Sequence, residues 1–191
     1  MALNNIKNLL KEGIFTAVDT ISECTGYVAI SDRLAHPDSR DVITLDIAGY
    51  RQTNTFSCAV TAGLMVLHTF HPRASVNSFY HAVNPSIEMG AHSGQLVRAL
   101  RHSEIGVGER DQLSWKDVHA NITKGYPIIT LVKSDDPDIL HWVVLYGVGI
   151  RPNRVYVAGR GLPLIGKRAF LWREFRQLWA DPGYGLVCWG K

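Results

Sequence analysis

The spacing of apolar residues changes character near residue 125 of the chain. Before this point apolar residues recur mostly at intervals of three and four, which is the pattern of helices with one buried face. This spacing predicts helices over residues 3–12, 57–70, 74–83, 93–102 and 114–124. Two shorter runs, residues 25–31 and 41–50, are rich in β-branched and aromatic residues and predict strands.

After residue 125 the apolar residues form short continuous runs, separated by turns that contain Gly, Pro or Asn. These runs predict strands over residues 126–134, 141–149, 154–160 and 184–191, with a short helix at about 170–180 before the last strand. Such strands with short connections favour one antiparallel sheet. Helices followed by a sheet predict an α+β fold with N-terminal helices packed on a C-terminal antiparallel sheet, rather than alternating βαβ units.

Composition narrows the class of protein. The chain has 191 residues, of which 46% are hydrophobic and 19% charged, and this length fits one domain with a buried core. The net charge is only +3 and no basic patch contains interleaved aromatic residues, so we expect no nucleic-acid partner. No apolar run reaches the ~20 residues of a membrane span, and the N-terminus does not have the pattern of a secretory signal. We therefore expect a cytoplasmic protein, and any delivery outside the cell would not use a signal peptide.

The three cysteines, Cys24, Cys58 and Cys188, form no CxxC pair and have no metal-ligand spacing. An odd number of cysteines argues against a disulfide framework and fits a reducing compartment. We expect no metal and no other cofactor. Cys58 differs from the other two because it begins a predicted helix, whereas Cys24 and Cys188 are expected to be buried and unreactive.

The stretch QTNTFSCAVTAGLMVL, from Gln52 to Leu67, contains a candidate nucleophile. A helix N-terminus favours negative charge and so favours the thiolate of Cys58. Gln52, six residues earlier, could donate its amide to a developing oxyanion. Among eight histidines, His141 is the candidate base because it begins the strand HWVVLYGVG directly after a polar loop. The alternative is that Cys58 is a small core residue, which is the usual role of such a cysteine.

These motifs resemble the papain-like cysteine peptidases of the C39 family, the bacteriocin-processing domains that cut leader peptides after a double glycine. The resemblance rests on the Gln52-to-Cys58 step with its apolar helix, on the strand begun by His141, on NRVYVAG, and on SGQLVRALRHSEIG and EFRQLW. It implies a papain-like fold, and a thiol protease in which Cys58, His141 and Gln52 act on a peptide or protein substrate with small residues at the cut site. It also divides the chain into an extension of unknown role, residues 1–44, and a peptidase domain, residues 45–191.

The sequence departs from the family pattern where an Asp should orient the histidine. In the equivalent stretch, VYVAGRG, Gly159 and Arg160 stand in place of the acid and the following proline. Asn153 in the preceding turn is a displaced candidate for the orienting residue, although asparagines in turns are mostly structural. Three functions follow as alternatives: a peptidase that works with a Cys58–His141 dyad, an acyltransferase on the same fold, or an inactive adaptor that binds peptides.

Overall fold

The computed structural model describes residues 28–29, 41–52, 56–134, 139–159 and 169–191. The predicted helix at residues 3–12 lies outside these ranges, as does most of the predicted strand at residues 25–31. The helices are α1 Cys58–Phe70, α2 Val76–Val83, α3 Ser93–His102, α4 Trp115–Thr123 and α5 Trp172–Leu178. The strands are β1 Val28–Ala29, β2 Val42–Thr44, β3 Tyr50–Arg51, β4 Ile105–Arg110, β5 Ile128–Lys133, β6 Leu140–Ile150, β7 Asn153–Ala158, β8 Ala169–Leu171 and β9 Gly185–Gly190.

Seven strands form one antiparallel sheet in the order β4-β9-β5-β6-β7-β8, and β2 pairs with the far half of β6. The strand β6 is the longest and lies at the centre, because β5 pairs with residues 140–145 and β2 with residues 147–149 along the same edge. Strands β1 and β3 make a separate two-stranded sheet. The last residues of the predicted N-terminal extension therefore form β2 and contribute a strand to the main sheet.

The sheet has a hydrophobic cluster on each face. Along β6, Trp142, Val144 and Tyr146 belong to the cluster with α1, α2 and α3, whereas Val143 and Leu145 belong to the cluster with α4 and α5. This alternation follows from the two-residue period of a strand. Both faces of β6 are covered, so its middle reads as a continuous apolar run.

Helix α1 is the centre of the first cluster, and its residues from Cys58 to Leu67 are all buried. Gly63 permits the close packing of α2, because a Cβ at this position would lie 2.6 Å from the ring of Phe79. A buried helix of this kind holds its first turn rigidly against the sheet. The position of Cys58 is therefore set by the core.

The α+β prediction is confirmed, and the structure corrects two details of it. The stretch IGVGER forms β4, which the sequence pattern did not predict because two of its six residues are glycines. The run 41–50 is two short strands in different sheets rather than one strand. Helix α3 begins at Ser93 as predicted; its N-cap is His92, whose backbone N–H donates to the side chain of Gln95 at 2.9 Å.

Candidate active site

Cys58 is the first residue of α1, at the point where the helix meets the sheet. Its side chain is 7% exposed. The remaining exposed surface faces a cavity of about 690 Å³, which Cys58 lines together with Trp142. The thiol is thus almost buried but can be reached from this cavity.

Three backbone N–H groups lie within hydrogen-bonding reach of the Cys58 thiol, those of Trp142, Ala59 and Cys58 itself. Two of them belong to the first turn of α1, where N–H groups have no partner within the helix. The third belongs to the peptide unit that joins His141 to Trp142. The sulfur therefore contacts the beginning of β6, which is the strand that carries the candidate base.

Burial raises the pKa of the Cys58 thiol above its ordinary value, and the N–H groups of Trp142, Ala59 and Cys58 oppose this effect without cancelling it. Desolvation disfavours the charged form of a thiol, while hydrogen bonds to the sulfur favour it. Before it meets a substrate, Cys58 is therefore mainly a neutral thiol at neutral pH. A nucleophile of this kind needs a base to take its proton.

His141 is the second residue of β6 and is half-buried, with its Nδ1 atom fully buried. The Cα of His141 lies about 2.4 Å from the nitrogen of Trp142, because only two covalent bonds separate them. Since that nitrogen lies within hydrogen-bonding reach of the Cys58 sulfur, the backbone of His141 lies beside the thiol. The structure thus brings the beginning of β6 to the first residue of α1, although Cys58 and His141 lie 83 positions apart in the sequence, and His141 is not among the residues that line the cavity.

Gln52 directly follows β3 and is 2% exposed. The preceding strand is fixed to α1 by Tyr50, whose hydroxyl hydrogen-bonds to Nδ1 of His68. Nε2 of His68 donates to the carbonyl of Ala74 at 2.8 Å, so Nδ1 is the acceptor of the Tyr50 hydroxyl proton. Gln52 is therefore held in the interior, at the end of a strand anchored on the helix that begins with Cys58.

Asn153 lies at the opposite end of β6 from His141. It is exposed and pairs with Ile150 across the hairpin turn. Nine residue-to-residue steps along the strand lead from His141 to Ile150, a distance of about 30 Å. Asn153 cannot orient the imidazole, which corrects the expectation drawn from the sequence.

Gly159 occupies the position at which the C39 family pattern has the orienting acid, and it lies beside the beginning of β6. Ala158 pairs with Val144, and a Cβ at Gly159 would lie 3.0 Å from Cγ1 of Val143 and 3.3 Å from the carbonyl oxygen of Trp142. Its φ of +139° is in the region that favours glycine. The backbone at this position thus favours glycine and would strain an aspartate.

The cavity in front of Cys58 contains residues that the sequence alone did not identify. One wall is the loop Ile87–Met89, and another contains Glu109 and Tyr184. The indole N–H of Trp142 donates to the carbonyl of Ala91 at 3.2 Å and joins the site to the start of α3. Two exposed apolar residues in a polar turn, Ile87 and Met89, were the available signal for this wall. In the described ranges, no three His, Cys, Asp or Glu side chains are grouped as a metal site would require.

No protein-family model matches this sequence, and neither does any curated protein sequence. Solved structures do resemble it. The peptidase domain of Streptococcus ComA, a bifunctional ABC transporter involved in quorum sensing, has 14% sequence identity and a TM-score of 0.59, with 76% of this chain and 98% of that chain covered. A double-glycine-motif protease from an AMS/PCAT transporter, solved with its leader peptide, has 15% identity and a TM-score of 0.57, with 78% and 94% covered.

A third similar structure is a Bacillus anthracis protein assigned to the C39-like peptidases, with 15% identity, a TM-score of 0.55, and 86% of this chain and 98% of that chain covered. Identities this low show a shared fold. The resemblance to C39 peptidase domains noted in the sequence is therefore confirmed for the fold. Within the described residues, no helix is long and apolar enough to cross a membrane.

Proposed function

We propose that this protein is a cysteine peptidase that cleaves peptide bonds through a Cys58–His141 dyad, with Gln52 as an oxyanion donor and residues 45–191 as the peptidase domain. The observation that carries the proposal is the contact between the Cys58 sulfur and the peptide unit of His141 and Trp142. This contact lies at the edge of a cavity of about 690 Å³, in a fold shared with peptidase domains. A buried cysteine without function needs neither the cavity nor this contact.

In the proposed reaction, His141 takes the thiol proton as the Cys58 sulfur attacks the carbonyl carbon of the peptide bond. The oxyanion of the tetrahedral intermediate accepts hydrogen bonds from the Gln52 amide and the Cys58 backbone N–H. His141 then gives the proton to the leaving amine, which departs as the C–N bond breaks and a thioester forms. Water, deprotonated by His141, attacks the thioester and releases a carboxylic acid and the Cys58 thiol.

The raised pKa of Cys58 makes proton transfer to His141 part of the attack rather than a step completed beforehand. The orienting acid is not essential to this scheme, because the third member of such a triad positions the base while nucleophile and base perform the bond chemistry. The similar protease bound to its leader peptide suggests the substrate class, a peptide with small residues before the cleaved bond.

The decisive experiment measures thiol labelling and cleavage together. A peptide aldehyde or chloromethyl ketone ending in Gly-Gly should modify Cys58 faster than Cys188, as measured by mass spectrometry of digested protein. Quenched fluorescent peptides containing Gly-Gly should be cleaved by the wild type, and Cys58→Ala should lower turnover by about a thousandfold or more. Cys188→Ala is the matched control, because it removes a buried thiol on β9 that lines no described cavity.

Equal and slow labelling of Cys58 and Cys188, with no cleavage of any peptide, would refute the enzyme proposal. Addition of an amine acceptor tests acyl transfer on the same fold, because a transferase would form an amide product that water alone does not give. Hydrolysis at an unchanged rate with the acceptor present would support the peptidase.

The backbone at Gly159 provides a further prediction about the dyad. Gly159→Asp restores the acid of the family pattern, but its positive φ and the contact with Val143 should cost about 1–3 kcal/mol of folding stability. We expect no increase in turnover, since a strained carboxylate is not held in the position that orients His141. Gly159→Ala is the control for strain without the carboxylate, and a severalfold gain in turnover specific to Gly159→Asp would contradict the prediction.

The second candidate function is a peptide-binding adaptor. Two observations favour it: the glycine at the acid position and the raised pKa of Cys58. An adaptor would bind Gly-Gly peptides with the same affinity in the wild type and in Cys58→Ala, and the wild type would leave them intact. Cleavage that is lost in Cys58→Ala would exclude this function.

A further inference from the structure

The cavity in front of Cys58 is wide enough for several residues of a peptide, and its lining combines two kinds of side chain. At about 690 Å³, it is within the usual size range of ligand pockets in proteins. Exposed apolar side chains form two rims, one with Ile87 and Met89 and the other with Ile139 and Leu140, and carboxylates also line the cavity. This combination bears on which peptides the cavity can hold.

The apolar rims account for most of the exposed large hydrophobic side chains in the described part of the chain. Five such residues are exposed there, and four of them line this cavity: Ile87 (73% exposed), Met89 (72%), Ile139 (44%) and Leu140 (44%). The fifth, Ile150, lies elsewhere. Exposed apolar side chains concentrated at one cavity indicate a surface that a partner covers.

The loop that carries Ile87 and Met89 is well ordered by its own hydrogen bonds. The N–H groups of Ser86 and Gly90 donate to each other's carbonyls at 2.7 and 2.9 Å, and the hydroxyl of Ser86 accepts from the N–H of Met89 at 2.9 Å. The loop therefore presents Ile87, Glu88 and Met89 in a fixed arrangement, with the carboxylate between two apolar side chains. A rigid loop of this kind can select a side chain without losing conformational entropy when the peptide binds.

The carboxylates of the cavity outnumber its basic side chains. Glu88, Glu109 and Asp181 line it together with one histidine, His92, and no lysine or arginine does so among the described residues. The hydroxyl of Tyr184 donates to Glu109 at 3.3 Å and steadies that carboxylate. The whole chain, by contrast, has a net charge of +3. A carboxylate-lined cavity in a basic protein concentrates negative potential at the candidate active site.

We propose that this cavity selects peptides in which a lysine or arginine lies beside large apolar side chains. This inference rests on the proposed function for the position of the cut, and on the cavity lining for the selectivity. The apolar residues of the peptide would pack on the two rims, and the cation would face Glu88, Glu109 and Asp181. A peptide with acidic residues at the same positions would be repelled.

The test uses Cys58→Ala, so that binding is measured without cleavage. Three fluorescent peptides of equal length share a central Gly-Gly and carry Leu with Lys, Leu with Glu, or Ser with Lys on the side before it. Fluorescence anisotropy should give the Leu–Lys peptide an affinity about tenfold higher than that of the Leu–Glu peptide. The Ser–Lys peptide should also bind about tenfold more weakly than the Leu–Lys peptide.

Two matched sets of variants locate the selectivity. Glu88→Lys and Glu109→Lys, in the Cys58→Ala background, should weaken the Leu–Lys peptide and strengthen the Leu–Glu peptide. Glu104→Lys makes the same change in charge at an exposed turn outside the cavity and should leave both affinities unchanged. Ile87→Ser should weaken both Leu-containing peptides, whereas Ile150→Ser, at an exposed apolar residue outside the cavity, should weaken neither.

The outcomes separate the two proposals. Equal affinities for the Leu–Lys and Leu–Glu peptides, or equal effects of Glu109→Lys and Glu104→Lys, would overturn the selectivity even if the wild type cleaves all three peptides. Selective binding by Cys58→Ala would support the selectivity even if the wild type cleaves none, in which case only the peptidase function fails. Thermal unfolding of each variant confirms that a lost affinity is not a lost fold.

Discussion

Cys58 and Cys188 differ in what surrounds the sulfur far more than in how deeply it is buried. Cys188 lies in β9 with no exposed surface, and its thiol donates to the carbonyl of Leu186 at 3.4 Å. Cys58 is 7% exposed and faces a cavity. Burial raises the pKa of both thiols. Only at Cys58 do backbone N–H groups oppose this effect.

The comparison teaches that burial alone does not identify a nucleophile. Both cysteines belong to the same hydrophobic cluster, and by composition or exposure they look alike. The difference comes from the backbone. The first turn of a helix supplies N–H donors at Cys58, whereas the N–H groups of the strand at Cys188 are hydrogen-bonded to neighbouring strands. A reactive cysteine therefore needs donors, a base and access at the same atom.

The largest change in this comparison should come from removal of the base. We expect His141→Ala to lower the rate at which iodoacetamide alkylates Cys58 at about pH 7 by a hundredfold or more. Because burial raises the Cys58 pKa, solvent alone leaves the thiol protonated at this pH. The wild-type rate should rise with pH, and the variant should approach it at about pH 10, where hydroxide replaces the base.

Mass spectrometry of the alkylated protein measures Cys58 and Cys188 in the same sample. Cys188 should remain nearly unlabelled at every pH at which the protein is folded. His102→Ala, which removes an exposed histidine at the end of α3, is the control and should not alter either rate. A ratio of wild-type to His141→Ala rates that stays constant with pH would show that His141 does not take the proton.

A smaller effect is expected at Gln52. Gln52→Ala removes the proposed oxyanion donor and should lower the turnover of a Gly-Gly peptide by about a hundredfold. It should leave the alkylation of Cys58 unchanged within about twofold, because alkylation forms no oxyanion. Gln52→Glu keeps the size of the side chain but cannot donate in the same way, so it should lose as much turnover as Gln52→Ala. Full turnover in Gln52→Glu would assign Gln52 a packing role.

The sequence predicts the elements that depend on local pattern and misses those that depend on distant contacts. Helix α1 and strand β6 were predicted almost to their ends because their apolar residues are dense and their boundaries are polar. Strand β4 was missed because its apolar residues are interrupted by glycines, and it exists through pairing with β9, which is far away in the sequence. Pairing of this kind leaves no mark on the spacing within the strand.

The same division applies to the site. The pair Cys58 and His141 could be proposed because each lies at the beginning of a regular element, as the first residue of α1 and the second residue of β6. Asn153 was chosen because it lies in the turn just before VYVAGRG, where the family pattern has the acid, but the hairpin of β6 and β7 places it at the far end of β6 from His141. The cavity as a whole could not be predicted, since its walls come from the loop at 86–90, from β4 and from the segment just before β9, and only the fold brings them together.

The smallest expected effect concerns the contribution of each buried thiol to folding stability. Cys188→Ala should lower the free energy of unfolding by about 1 kcal/mol at pH 7, because it removes one buried sulfur. The raised pKa of Cys188 means that the folded state holds the thiol proton more tightly than the unfolded state. This contribution to stability is complete below the ordinary thiol pKa of about 8.5. It is lost at higher pH, by about 1.4 kcal/mol per pH unit.

The difference in free energy of unfolding between wild type and Cys188→Ala should therefore shrink to about zero by pH 9.5, because only the wild type loses the contribution of the Cys188 proton. Denaturant unfolding at the two pH values measures it, and groups such as Tyr50 that titrate in both proteins cancel. The difference in free energy of unfolding between wild type and Cys58→Ala should depend less on pH, because the N–H groups of Trp142, Ala59 and Cys58 stabilise a thiolate at Cys58. Identical pH dependence in the two variants would mean that these donors do not distinguish one buried cysteine from the other.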